Sequence, residues 1–212
     1  MKPIYCMLLL SLLWLCAGCE PEANKPSPDE IKQAEQNQLR QELQQLITRA
    51  EQKANHSFRL DIQNPKQKEQ YKGKQNGENW VILDRQDNKV MERKEEKVWA
   101  YHSGKKEEMT AEQAGLVSFK DHLQFLSQVY GEIEKDERQK KLKVAVDSSK
   151  LAQNFKQRFN GEAEQVLFPI YEEMEIYYEL VYTDPEKDLK QMILHMHEKD
   201  QAKQTLTYQI AD

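Results

Sequence analysis

The sequence predicts an α+β protein: an N-terminal helix, then antiparallel sheet interrupted by two further helices. Three observations carry this. Apolar residues recur at helical spacing between Ser27 and Ala54 and switch to a spacing of two from Ser57. Short turn sequences such as Asn76-Gly77, Asp87-Asn88 and Ser103-Gly104 then punctuate the chain at hairpin intervals. Only 38% of the residues are hydrophobic, and the first 19 hold a disproportionate share. The folded part therefore has a thin core, which favours strands and helices with one wet face over a parallel sheet covered on both sides.

The chain opens with Lys2 and an almost unbroken apolar run from Ile4 to Ala17, closing on Cys16-Ala17-Gly18-Cys19. The run is shorter than the ~20 residues that span hydrocarbon. It ends in small residues, as a secretory signal does. With Cys19 directly after Ala17-Gly18, it resembles the lipobox of bacterial lipoproteins, with Cys16 where leucine is usual. That resemblance implies a diacylglyceryl group on Cys19 and cleavage after Gly18. Residues 1–18 are then a signal peptide, 19–27 a lipidated cysteine with a solvated tether, and 28–212 a single folded domain. The remaining cysteines, Cys6 and Cys16, leave with the signal, so the domain has no disulfide, thiolate metal site or cysteine nucleophile.

Ser27-Pro28-Asp29-Glu30 reads as a helix start. Ser27 can cap the free amides, Pro28 suits the first helical position, and Glu30 can reach back. Leu39, Leu43, Leu46, Ile47, Ala50 and Ala54 form one apolar stripe, expected to pack on the domain's own sheet, with a partner's coiled coil as the alternative. Phe58, Leu60 and Ile62 alternate as a strand that Asn64-Pro65 breaks. Tyr71 sits in a polar strand ending at Asn76-Gly77, a hairpin signal. Trp80–Leu83, Val90-Met91 and Val98–Tyr101 complete about five strands, which Ser103-Gly104 is expected to close. Consecutive strands joined this way pair as a meander.

Ser118 and Asp121 can cap a helix with Phe119, Leu123, Leu126 and Tyr130 on one face. Residues 131–139 read as loop or strand edge, and Leu142, Val144 and Val146 as a strand. Asp147-Ser148 starts a third helix with Leu151, Phe155 and Phe159, ended by Asn160-Gly161. Ile176, Tyr178, Leu180 and Tyr182 then share a strand face. After the turn Asp184-Pro185-Glu186-Lys187 come Met192, Leu194 and Met196, and finally Leu206, Tyr208 and Ile210.

The chemistry-bearing groups are few. His195 and His197 point to one face of a strand, the minimum for a metal pair, but no third ligand is indicated and a solvent-facing pair is expected. Glu172, Glu173 and Glu175 with Asp61 could pair as carboxylates for acid–base work, yet acidic residues are too frequent here to single them out. No nucleophile-elbow, phosphate-loop, dinucleotide or zinc-protease motif occurs, so neither an enzyme nor a cofactor is expected. A net charge of −5 with both signs scattered argues against nucleic acid and against electrostatic adhesion to anionic lipid.

The N-terminal helix leading into Ser57–Asp61, the hairpins around Trp80 and Trp99, and the tail Tyr178–Met192 with its Asp184-Pro185-Glu186-Lys187 turn resemble the bacterial lipoprotein-carrier superfamily, the LolA/LppX-like proteins. The resemblance implies a strongly curved sheet, an incomplete barrel, with the helices on its concave side. It also implies an apolar cavity between sheet and helices for acyl chains or similar ligands. Trp80, Trp99, Tyr178, Tyr182, Met192, Leu194 and Met196 are the candidate lining, methionine suiting a surface that adapts to varied apolar shapes. The expected partners are the membrane through Cys19 and an apolar ligand, on the extracytoplasmic face of a bacterial membrane. The alternative is an interaction module that engages an envelope protein through the N-terminal helix or a sheet edge.

Overall fold

The structure, a computed structural model, describes residues 27–110, 117–158, 174–198 and 203–211. The signal, Cys19, the tether up to Pro26, Phe159, the Asn160-Gly161 stop and Glu172-Glu173 lie outside the described residues, as does the side chain of Phe155. The chain forms two compact units, Met1–Asn37 and Gln38–Asp212.

In the first unit the described residues begin helix α1 (Pro28–Gln52). Ser27 Oγ accepts from the Glu30 amide at 3.2 Å while the Ser27 amide donates to Glu30 Oε2 at 2.7 Å, so the capping box read from the sequence is formed.

In the second unit, α1 continues with Leu43, Leu46 and Ile47 buried. There follow β1 (Asn55–Gln63), β2 (Lys68–Asn76), β3 (Asn79–Leu83), β4 (Lys89–Lys94), β5 (Lys97–His102), β6 (Lys105–Met109), α2 (Phe119–Val129), β7 (Tyr130–Asp136), β8 (Lys141–Val146), α3 (Ser148–Arg158), β9 (Met174–Thr183), β10 (Asp188–Glu198) and β11 (Gln204–Ala211). The strands form one antiparallel sheet in the order β6-β5-β4-β3-β2-β1-β11-β10-β9-β8-β7. Two meanders are joined where the last strand pairs with the first, Leu60 opposite Tyr208. β6 and β7 do not pair with each other, so the sheet stays open.

β6 exceeds the sequence reading, and the segment read as loop or strand edge is a strand, β7. Ser103-Gly104 does not end the first meander. With φ of 51° and 77° it turns the chain into β6, whose Lys-Lys-Glu-Glu-Met carries no alternating apolar signal. Tyr130–Asp136 is the edge strand β7, so Tyr130 leaves the helix pattern assigned to it. Ala54 lies beyond the end of α1 and is exposed.

The sheet curls around α2. Asp121 reaches Arg93 of β4 at 3.7 Å, and the adjacent His122 meets the Tyr178 hydroxyl of β9 at 3.0 Å. Those strands are six steps apart in the sheet, about 29 Å if it were flat. A helix seated some 10 Å above a flat sheet could not serve both with adjacent residues.

Register puts one apolar face inward. Rows such as Leu142-Leu180-Met192-Tyr208-Leu60 and Val144-Tyr178-Leu194-Leu206-Ile62 run across neighbouring strands. Gly73 of β2 lies opposite Phe58, whose ring occupies the place a Cβ would take, 2.1 Å from it.

Candidate functional site

The concave face carries all the sequence-derived candidates but Trp99. Tyr178 and Tyr182 of β9 and Met192, Leu194 and Met196 of β10 stand on that face, with Leu194 opposite Tyr178. All are buried except Met196, which is partly so. Trp80 is buried on the same face but on the other arm of the sheet, opposite Gln75 and Arg93. Trp99 departs from the set. It follows buried Val98 in β5, and period-two alternation sends it to the outer face, between Glu92 and Glu108.

The lid brings in residues that sequence reading did not single out as site groups. Phe119 of α2 packs against His56 at 5.5 Å and Tyr208 at 6.2 Å, and Phe58 meets Tyr208 at 5.6 Å. His122 lies edge-on to Tyr178 at 5.9 Å and tilted on Tyr208 at 5.3 Å. The Tyr208 hydroxyl donates to the Val117 carbonyl at 2.9 Å. Burial raises the pKa of both phenols, so they stay neutral. His56 stands two residues before Phe58 on the inner face of β1 and His122 belongs to α2 itself, and only the packing of that helix on the sheet brings them into one cluster.

A partly enclosed hollow beside Ala50, His56, Phe119 and Ile210 measures about 10 Å³, at the lower limit for one water. Larger hollows open to solvent. One of about 660 Å³ is lined by Lys74, Trp80, Lys89, Arg93 and Lys94, and one of about 760 Å³ lies along Gln44, Arg49 and Lys187.

A second cluster secures α1. Glu42, 8% exposed, accepts from the Tyr182 hydroxyl at 2.8 Å and from Lys187 Nζ at 2.5 Å, and pairs with Lys135 Nζ at 2.9 Å. Burial alone would raise its pKa, but hydrogen bonds from Lys187, Lys135 and Tyr182 outweigh this and hold it below the ordinary glutamate value. Burial and the bond to Glu42 push the Tyr182 phenol up to about 12. Asp188 adds ion pairs to Arg49 at 3.2 Å and Lys53 at 3.0 Å. Every one of these charges is met by an opposite one, so the arrangement fastens α1 to the sheet.

The two histidines of β10 differ from the expected solvent-facing pair. His197 is exposed, whereas His195 is 8% exposed and stacked on Tyr177 at 4.4 Å. Burial, with Lys203 nearby, holds its pKa below the ordinary histidine value, although Glu179 lies 3.7 Å away. Among the described residues no group of three His, Cys, Asp or Glu could hold a metal ion. Asp61 accepts from Gln70 at 2.7 Å and pairs with Arg59 at 3.2 Å, while Glu175 is exposed.

No protein-family model matches the chain, and no curated protein matches it. Solved structures do. The chain is similar to LprF from Mycobacterium bovis, with 14% identity and a TM-score of 0.41, over 83% of this chain and 92% of that one. It is also similar to the lipoprotein LppX from Mycobacterium tuberculosis, with 8% identity and a TM-score of 0.42, over 82% of this chain and 94% of that one.

Proposed function

We propose that this chain is a membrane-anchored extracytoplasmic lipoprotein that carries out no catalysis and takes a hydrophobic, lipid-like ligand between its curled sheet and its helices. Residues 1–18 serve as signal, 19–27 as lipidated cysteine and tether, and 28–212 as the folded domain. The observation that carries the ligand reading is the open sheet. No β6–β7 ladder closes the curl. The two arms meet through α2, by Arg93–Asp121 on one side and His122–Tyr178 on the other. Side-chain contacts of this kind can give way without breaking a strand ladder, so the space between sheet and helix can widen around an apolar guest. Leu194, Met192 and Met196 supply an adaptable floor.

The rival use of the α1 stripe as a partner surface loses its ground. Leu43 and Leu46 are 0% exposed within the chain's own core.

The test uses the two tryptophans beyond the signal. In Trp99→Phe only buried Trp80 reports on the interior, and in Trp80→Phe only the outer-face Trp99 reports. A fatty-acyl probe should change the emission of the first variant and leave the second unchanged. Absence of binding, or an equal response in both, counts against the cavity. The anchor is tested separately. Cys19→Ala should lose the lipid-dependent mass and release or misprocess the protein, and unchanged mass with membrane retention would refute lipidation.

A further inference from the structure

Four side chains stand in one cross-strand row on the concave face: His56 of β1, Gln75 of β2, Trp80 of β3 and Arg93 of β4, each directly opposite the next. Both ends of the row touch the first turn of α2. The His56 ring lies 5.5 Å from that of Phe119, and Arg93 pairs with Asp121 at 3.7 Å. Gln75 and Trp80 stand between these contacts, 5% and 4% exposed. The next row along the same strands is Phe58, Gly73, Ile82 and Met91, which carries no polar side chain. The polar row lies beside the turn at Gly77 and the apolar one leads away from it, the order in which an amphiphile presents a head and a chain.

Three residues of the polar row keep a buried polar atom with no hydrogen-bond partner: His56 Nε2, Gln75 Oε1 and Trp80 Nε1. Their chemistry is fixed by what surrounds them. The Gln75 amide nitrogen donates to the Gly77 carbonyl at 3.1 Å, so Oε1 is left as an acceptor. The Lys53 backbone accepts from the other ring nitrogen of His56, and burial lowers the imidazole pKa, so Nε2 of the neutral ring is a second acceptor. The indole N–H of Trp80 can only donate. Buried polar groups are almost always paired, and leaving one unmade costs more than making it gains. Three such atoms on consecutive positions of one row mark a place for a polar guest.

We infer that His56, Gln75 and Trp80 form a head-group subsite for a neutral, hydroxyl-bearing lipid such as a monoacylglycerol. Two neighbouring hydroxyls supply two donors, for His56 Nε2 and Gln75 Oε1, and an oxygen that accepts from Trp80 Nε1. A carboxylate supplies no donor and would leave both acceptors unmet, and so would a simple ester. Arg93, the one cation of the row, is already engaged by Asp121. The inference rests on the ligand reading above and names the head of that ligand.

The test displaces a fluorescent fatty-acyl probe from the full chain with three compounds of one acyl length: monolauroylglycerol, methyl laurate and laurate. The emission read is the probe's own, so tryptophan variants do not disturb it. Monolauroylglycerol should displace the probe at about a tenfold lower concentration than either of the others, the modest net gain of one or two neutral hydrogen bonds. Gln75→Leu and Trp80→Phe each remove one polar atom and keep an apolar side chain. Either should cut the preference to about threefold, and the two together should abolish it, with melting curves confirming that the variants are folded. Equal displacement by all three compounds, or a preference that survives both substitutions, overturns the head-group subsite and leaves the ligand reading standing. A preference for laurate overturns it in favour of an acid held by Arg93. A chain that binds no probe overturns both.

Discussion

Gly73 shows how one residue sets the local packing. Its missing side chain leaves room for the Phe58 ring, which is 3% exposed and lies tilted against Tyr208 and His56. Gly73→Ala would place a methyl 2.1 Å from a ring carbon, so the aromatic cluster beneath α2 must move. We expect a loss of about 1–3 kcal/mol, the usual cost of overpacking, measured by urea unfolding. Phe58→Leu in the same chain should recover part of it, a coupling the double-mutant cycle would expose. Glu42 is the second such residue. Its folded pKa is lowered, so its contribution is fully present above the unfolded value near 4.5 and is lost as pH falls through the folded value. Wild type should therefore lose stability on acidification below about pH 4.5 more steeply than Glu42→Gln. At neutral pH that variant should already be weaker by about 1–3 kcal/mol, because Lys135 and Lys187 lose their shared carboxylate. An acid limb identical in the two proteins would show that the network contributes nothing.

At the level of elements, α1 combines an exposed start with a buried second half. Ile31 is 46% exposed, whereas Leu43, Leu46 and Ile47 are essentially inaccessible. Leu43→Asp together with Leu46→Asp would bury two unpaired carboxylates, and a loss above about 4 kcal/mol, enough to unfold many domains of this size, is expected in thermal melts. A folded, stable double variant would return the stripe to the rival reading. The elements most legible in the sequence were those with both period and punctuation. The capping boxes of α1 and α2 form as their residues suggest. The alternating strands pair in the expected antiparallel order around the turns at Gly77 and at Asp184-Pro185. β6 was not legible as a strand, and β7 only as loop or strand edge. An edge strand needs only one hydrogen-bonded neighbour and can be charged along its length, which also blunts its tendency to pair with another chain.

For the whole molecule, residues 20–26 carry no large apolar side chain, and the helix cap follows directly at Ser27. Deleting 20–26 should leave the melting temperature nearly unchanged, because such a segment has little to bury. A marked fall in melting temperature would mean that the folded part extends toward Cys19.

The sequence by itself determined the local order of this protein: its periods, caps and hairpins, the apolar inner face of the alternating strands, and the lipobox-like end of its leading run. These depend on neighbours a few residues apart, and the chain states them directly. Only the tertiary structure decided which strand lies beside which at long range. It paired β1 with β11, left β6 and β7 apart, and curled the sheet until Arg93 and Tyr178 met adjacent residues of one helix. It also separated Trp80 from Trp99. Both sit in meander strands, but strand alternation and the register of the β3–β4 and β4–β5 pairs put them on opposite faces, one in the core and one among lysines. Whether a side chain faces a ligand, a core or a membrane is set by which surface its face is folded toward, and that depends on contacts between residues far apart in the chain.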